Sequence, residues 1–436
     1  MLRLIAILFI VSLFIPFEFY VMAGSVRIEA YRIVLGLGLL YAVFNFRQAL
    51  QRADLVDILL IALTVMVFAS FWHNHGLQKA VESTGIFAIE TLGAFYLARL
   101  FITTPQRFYW VNQTFITLLA VLTLLAFYEA FTQHRILHEI AEKITGHHAL
   151  DPRLYTQDYV RNGIMRATSL FEHPILYGTL MALFFPFAIL LVLRYRGTEH
   201  VLKLGGLTLS MILTLSSAPL LAIIFQGFTA ILVKFWQNAR QFWLSMFFGG
   251  LATALLIEAF SNRGFFGILI SYLTFNPNTG YFRILQWEYT ADDIRDNLIL
   301  GIAHHDWTRP YWMEWMGNSI DSFWLLLILQ HGVFALTLLL LACLYAIFNT
   351  LNLAHHHCEQ HRWMVSAWIM SFMSLILIGF TVDYFGKLQP MFFFMLGAIG
   401  WAHYYPLSNR QAEELASEDN SVNTSAPDKH SNGGTP

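Results

Sequence analysis

Residues 280–325 read GYFRILQWEYTADDIRDNLILGIAHHDWTRPYWMEWMGNSIDSFWL, and residues 323–348 read FWLLLILQHGVFALTLLLLACLYAIF. The first stretch is the longest polar interval of the chain. It holds Arg283, Arg295, Arg309, His304, His305, Asp306 and Asp321 among several tryptophans and tyrosines. The second is long enough to cross a bilayer without a single charge, since a span takes about 20 apolar residues. Charge is concentrated in one interval and then excluded from the next. The polar groups therefore end where a hydrocarbon slab begins.

Working outward, the same alternation covers the chain. Of its residues 57% are hydrophobic and 12% charged, against about 25% charged in soluble domains. Apolar runs fall near 3–23, 31–46, 54–73, 83–101, 109–130, 171–193, 203–217, 219–236, 242–260, 320–347, 363–382 and 388–405. These predict an all-α polytopic membrane protein with about twelve transmembrane helices. The run 31–46 is short, and the division at Ser216–Pro219 rests on one proline. The first run reads as a span rather than a cleaved signal peptide, because it is long and only Arg3 flanks it. A net charge of −2 leaves no nucleic-acid footprint. Cys343 and Cys358 make no disulfide framework.

Basic residues orient the spans. Alternate short loops carry Arg47 and Arg52; Arg99 and Arg107; Arg194, Arg196 and Lys203; Lys234 and Arg240; and Arg362. The intervening short loops carry only Arg27, Arg32, Lys79 and Lys387. Short basic loops stay cytoplasmic. Both termini are thus expected inside, and the two long loops, about 131–169 and 261–319, outside. The polytopic domain is 1–407. The tail 408–436 is polar and expected to be disordered in the cytoplasm.

In the first long loop His134 and His138 stand four residues apart, a spacing that permits a metal pair on a helix. No third ligand is evident, and an amphipathic helix lying on the bilayer accounts for the segment better. At its end Arg161 and Arg166 precede Phe171-Glu172-His173-Pro174. Pro174 suits the first turn of a helix, so His173 stands at a helix N-terminus. Arginines at such a mouth hold phosphate oxygens bidentately, or else contact lipid headgroups. In the second loop Ile284, Leu285, Trp287, Ile294 and Leu298 recur at helical spacing up to Gly301. Trp307, Trp312 and Trp315 follow, either as a platform for sugar rings or as an interfacial aromatic belt. Within the spans Glu90 is the clearest ionisable residue, and a functional suspect for that reason. The run His355–His361 has the composition of a metal tract, on the opposite face.

Three segments resemble the O-antigen ligase and polymerase family of bacterial membrane glycosyltransferases. Arg166-Ala167-Thr168-Ser169-Leu170-Phe171-Glu172-His173-Pro174, with Gly178 and Pro186 behind it, is similar to the family's Arg, small residue, Phe-x-His-Pro pattern. Arg283 and Trp287, followed by Asn297-Leu298-Ile299-Leu300-Gly301, resemble its arginine-led helix. Asp321-Ser322-Phe323-Trp324-Leu325 with Gly332 stands where the family more often has His-Asn-x-Tyr-Leu and Glu-x-Gly. The motifs cover about 160–345. Ser216-Ser217-Ala218-Pro219 departs from a common Ser-Arg, and Arg32 is a candidate to replace that arginine.

The resemblance implies a GT-C-like fold in the bacterial inner membrane. It also implies an inverting glycosyltransferase, independent of metal and cofactor, that polymerises undecaprenyl-diphosphate-linked glycan repeats on the periplasmic face. On this reading Arg166, Arg283 and Arg32 bind the diphosphate. Asp321 is the base, with His173 and His305 as rivals, and Trp307, Trp312 and Trp315 touch glycan. Partners would be the lipid-linked oligosaccharide, membrane lipid and a chain-length regulator. A ligase would transfer the glycan to lipid A core instead. From another class, a transporter or lipid flippase would need internal repeats and a site at mid-depth.

Overall fold

The computed structural model describes residues 1–24, 26–147, 159–161, 163–235, 239–262, 264–273, 277–313, 315–353 and 359–404. Among the described residues, six helical segments are long and apolar enough to cross a membrane, and shorter apolar helices lie among them. The chain is therefore an all-α, membrane-embedded protein.

It opens with α1 (Leu2–Leu13), a hairpin of β1 (Tyr20–Ala23) and β2 (Val26–Glu29), then α2 (Ala30–Phe44) and the short α3 (Phe46–Leu50). The hairpin is antiparallel, with Tyr20 opposite Glu29. Next come α4 (Leu55–Ala88), a π-helical turn over Ile89–Gly93, and α5 (Ala94–Phe101). These form one apolar stretch of 47 residues, which as a straight helix would run about 70 Å, over twice a bilayer core of about 30 Å. Gly76, at φ 80° and ψ 174°, breaks it. Asp54 at one end pairs with Arg99 near the other at 2.9 Å, so the chain folds back on itself.

After α6 (Pro105–Thr132) come α7 (Ile136–Thr145), the two-residue strands β3 (Val160–Arg161) and β4 (Ile164–Met165), and α8 (Pro174–Tyr195). Helices α9 (Thr198–Leu213) and α10 (Ser217–Phe235) are separate, as Pro219 suggests, with Leu215 at a positive φ between them. Then follow α11 (Ala239–Phe260), α12 (Gly264–Leu273), α13 (Pro277–Asp296), α14 (Phe323–Leu353), α15 (Glu359–Ile378) and α16 (Leu388–Ala398). Helix α14 starts later than the apolar run 320–347 implies and is broken at Gly332, φ 82° and ψ 176°.

The core is aromatic and aliphatic. Phe115 stacks on Phe184 at 4.6 Å between α6 and α8, and Trp368 on Phe372 at 4.8 Å within α15. At one end of the bundle, the Arg99 end, a buried guanidinium binds both Asp54 and Asp57, the latter at 2.8 Å. His403 lies 3.4 Å from Asp54 and 3.0 Å from Thr350, which ties the ends of α14 and the last helix to the same level.

The other end is organised by α7 and by the broken α14. His134 lies before α7 and pairs with Glu139, whereas His138 is buried against Glu18 at 2.6 Å. The two histidines are thus turned to different partners. Ile136, Ile140 and Ile144 stand exposed four residues apart along α7, the stripe of a helix lying in a membrane interface. At the α14 break, Leu329 and Gln330 carbonyls accept from Ile302 and Ala303 N–H at 2.9 Å, and Val333 N–H donates to Leu298 at 2.8 Å. Ser70 Oγ also donates to Gln330, at 2.7 Å. Backbone of 298–303 thus replaces the helical hydrogen bonds that Gly332 interrupts, as a membrane interior requires.

Candidate functional site

The site lies at the end opposite Arg99, where the loop before α8, the break between α9 and α10, α13 and the start of α14 meet. Each arginine is set by its own local structure. Glu129, near the end of α6, accepts from the N–H groups of Thr168 and Ser169 at 3.1 and 2.8 Å, from the Thr168 hydroxyl at 2.7 Å, and pairs with Arg135 at 3.0 Å. This carboxylate shapes the 166–169 turn. Arg166 then donates from Nε to the Thr214 carbonyl at 3.2 Å and from an η nitrogen to Ser216 Oγ at 2.7 Å. Arg161 donates to Leu215 O at 2.6 Å. The α9–α10 break, where the chain lacks the arginine common in the resembled family, supplies acceptors for two others.

Across the site, α13 presents Arg283, Gln286 and Thr290 at helical spacing. Gln286 donates to Ser319 O at 2.9 Å and accepts from the Asp321 N–H at 3.0 Å. That clamp brings Asp321 to 3.8 Å from Arg283 Nε. Asp321 does not cap α14. Ser322 does, accepting from Leu325 N–H at 3.3 Å while its hydroxyl donates to Gly379 O at 3.0 Å. The Asp321 carboxylate faces Arg283 instead of the helix start.

His173 is the N-cap of α8, its Nδ1 accepting the Ile175 N–H at 3.1 Å. With Nδ1 occupied as an acceptor, the neutral ring carries its proton on Nε2 and offers a donor. Burial, then the charges of Arg166, Arg135, Arg283 and Arg161, push His173 down to about 3. The charges of four guanidinium groups from three segments thus reach one imidazole, and Arg135 and Arg166 both face the Tyr159 ring, which meets His173 edge-on at 5.8 Å. Burial and its neighbours Arg161, Arg135 and Arg283 also bring Arg166 down to about 10. Arg135 and Arg283 have Glu129 and Asp321 beside them, whereas Arg161 and Arg166 donate to neutral oxygens, so the latter two keep their charge for an anion.

The carboxyls respond in the opposite sense. Burial raises Asp321 and Arg283 pulls it back, while 43% of its side chain remains open to solvent. It lies deep among protein atoms yet is reachable, the floor of a recess. Asp383, between α15 and α16, is raised to about 7 by burial, and the Asp321 charge adds to the shift. The recess therefore offers a carboxylate, a second carboxyl poised to hold a proton near neutrality, and a hydrogen-bond donor on imidazole.

A neighbouring polar network lies beneath β1–β2. Glu90, on the π-helical turn, accepts from Tyr31 at 2.9 Å and from Arg32 Nε at 2.8 Å. Arg32 is thereby paired with Glu90 and stands in this network, not beside Arg166 and Arg283. Lys387 donates to Leu170 O at 3.3 Å and to Ile15 O. Glu172, next to His173 in sequence, belongs to the same network: burial and then the Glu29 charge raise its carboxyl, and Arg27, Lys387 and Arg32 pull it back.

The remaining candidates separate. His305 stacks on His75 at 4.3 Å, beside the α14 break, in a cluster with His304. Trp307 is a core residue of the second loop, its Nε1 donating to Asn318 O at 3.1 Å and its ring packed with Leu285, Met313 and Leu325. Trp312 and Trp315 are exposed, resting on Tyr289 and Phe282 at centroid distances of 5.6 and 5.1 Å. Gln286 and Asp383 were not singled out by sequence. The spacing of Gln286 three residues after Arg283 was the available signal. Residues 355–358 of the histidine tract lie outside the described residues. Among the described residues no group of three or more His, Cys, Asp or Glu side chains is placed to hold a metal. No protein-family model matches the chain, and no curated protein matches it.

Proposed function

We propose that this protein is a membrane glycosyltransferase acting on glycans carried by undecaprenyl diphosphate, of the kind resembled by its Arg166–Pro174 and Arg283–Gly301 segments. The observation that carries the reading is that the charges of Arg166, in the loop before α8, and of Arg283, on α13, both act on His173, with Asp321 alongside Arg283. A departing lipid diphosphate gains negative charge as the sugar C1–O bond breaks. Preorganised guanidinium groups stabilise that charge. Asp321 takes the proton of the acceptor hydroxyl as its oxygen attacks C1 from the opposite face, inverting the centre. His173, with its Nδ1 taken by the Ile175 N–H, donates from Nε2 to phosphate on this reading, and Asp321 rather than His173 acts as the base. Trp312 and Trp315 meet the glycan.

The polymerase reading places a second lipid-linked repeat as acceptor, and the ligase reading places lipid A core there. Purified protein given lipid-linked oligosaccharide alone should yield longer chains if it polymerises, and transfer to core only when core is added if it ligates. In either assay Arg166→Lys and Arg283→Lys keep the charge but lose the fork, and each is expected to slow turnover about 10²-fold or more. Full rates in both variants would remove the diphosphate role. The breaks at Gly76 and Gly332 favour a transporter, since broken helices often line transport sites. The Gly332 break, however, is filled by backbone of 298–303 and needs no substrate. Flux of lipid-linked glycan without any new glycosidic bond would establish the transporter.

On this reading the arginine recess faces the periplasm of the inner membrane, about twelve passes connect the two ends, and both termini are cytoplasmic. A reporter fused after Asn278 should behave as exported and one at Asn409 as cytoplasmic. The reverse pattern would put the recess on the wrong side for a periplasmic reaction.

A further inference from the structure

At the Arg99 end, a cavity of about 510 Å³ is lined by Met1, Arg3, Tyr41, Arg52, Arg107 and Trp110, with Leu100, Phe101, Thr103 and polar Gln48 and Gln106 closing it. Its three arginines come from three segments: the start of α1, the turn after α3 and the first turn of α6. No aspartate or glutamate lines it. The nearest acidic cluster, Asp54 and Asp57, is occupied by Arg99 at 2.9 and 2.8 Å.

Two of the cations are held in place. Arg52 donates to Leu100 O at 3.3 Å. Arg107 donates to Phe101 O and Thr103 Oγ1, both at 3.1 Å. These bonds go to neutral acceptors, so they fix the guanidinium groups without neutralising them. Burial and then the Arg107 charge lower Arg52, the mark of like charges held together. The wall between them is apolar and aromatic, with Trp110 partly exposed at the rim. Guanidinium forks match phosphate oxygens, and tryptophan at a membrane surface sits at headgroup level.

We propose that this cavity is an anion site for a phosphate group, the headgroup phosphate of an anionic phospholipid or a free phosphate, separate from the arginine recess at the other end of the bundle. Its arginines clamp the phosphate, and Leu2, Leu100 and Phe101 take the first carbons of an attached glycerol chain. Occupation ties the start of α1, the α3 turn and α6 together.

The test uses the full chain, stripped of lipid in a neutral detergent. Its thermal unfolding is followed while phosphatidylglycerol, phosphatidylcholine or inorganic phosphate is added. A saturable rise in the midpoint with phosphatidylglycerol but not phosphatidylcholine or inorganic phosphate identifies a lipid headgroup. A saturable rise with inorganic phosphate identifies a free-phosphate site. In both cases Arg52→Gln with Arg107→Gln should weaken the apparent affinity at least about tenfold. Arg3→Gln, an exposed change that leaves packing intact, should weaken it to a lesser degree and covers the case in which the double variant fails to fold. No saturable effect of either anion on the wild-type chain, or an effect unchanged in Arg3→Gln and, where it folds, in the double variant, overturns the proposal.

Discussion

Asp321→Asn is expected to lower turnover of a lipid-linked substrate about 10²–10⁴-fold, the usual loss when a general base is removed, with the folded protein unchanged. The stability half of this expectation follows from the cap of α14. Asp is a favoured N-cap residue, and an aspartate two residues before the first turn of α14 invites that role. Here Ser322 holds it, through Leu325 N–H at 3.3 Å. Asp321 is instead held by its own backbone N–H on Gln286, a bond that asparagine retains. Ser322→Ala is the matched control: it should cost about 1 kcal/mol of stability and leave the rate per folded molecule nearly intact.

The variant also has a pH signature. A base must be ionised to work, and the folded-state carboxyl is raised by burial. Wild-type activity should therefore fall as pH drops through that raised value, and the residual activity of Asp321→Asn should lack this limb. Turnover of Asp321→Asn near wild type at matched folded protein would take Asp321 out of the mechanism. Asp383, raised to about 7 beside it, would then be the leading base.

Gly332→Val is expected to destabilise the protein by at least about 4 kcal/mol, in the range reserved for severe backbone or packing faults. Two causes act together. At φ 82° a β-branched residue occupies a conformation that costs about 1–3 kcal/mol. A β-carbon there would also be driven into the Ile299 carbonyl and would approach Leu298 O at 2.8 Å. Neither neighbour can yield, because 298–303 is bonded across the break and Gly301 is itself packed on the Gln330–His331 backbone. Gly36→Ala serves as the control, since a methyl there meets nothing within 4 Å and alanine favours helix. Size-exclusion profile and unfolding midpoint decide the matter. A monodisperse Gly332→Val protein melting with wild type would mean that the α14 break is not as described.

The helices of span length were legible because a membrane span writes itself into about 20 consecutive residues, whereas the shorter apolar α12 lay unread inside the second long loop. Pro219 marked the α9–α10 division, and Pro174 placed His173 at a helix start. What the sequence withheld lies in contacts between distant segments. Glu90 reads as an isolated acid in an apolar run, and only the fold brings Tyr31 and Arg32 to it. Arg32 looks available for a diphosphate until Glu90 is seen beside it. His134 and His138 have metal-ligand spacing on an ideal helix, but α7 starts after His134, and Glu18 claims His138. Trp307 resembles its exposed neighbours Trp312 and Trp315 in local sequence. Which of the three is buried depends on how the second loop folds over α13. Asp321 is a case of one position: local rules allow either Asp321 or Ser322 to cap, and the Gln286 clamp from another helix favours Ser322.

The short helices α1 and α2 bear on the lipid around them. Twelve and fifteen residues amount to about 18 and 22 Å of rise, and Leu4, Leu8, Val11, Ile33, Leu37 and Leu40 face outward along them. A hydrocarbon layer of about 30 Å cannot match so low a wall without deforming, at a fraction of a kcal/mol for each ångström of mismatch. A bilayer meeting this side would thin around these two helices. Thickness then becomes a variable of the protein's surroundings, with chains of shorter acyl length meeting this face under less strain than long ones.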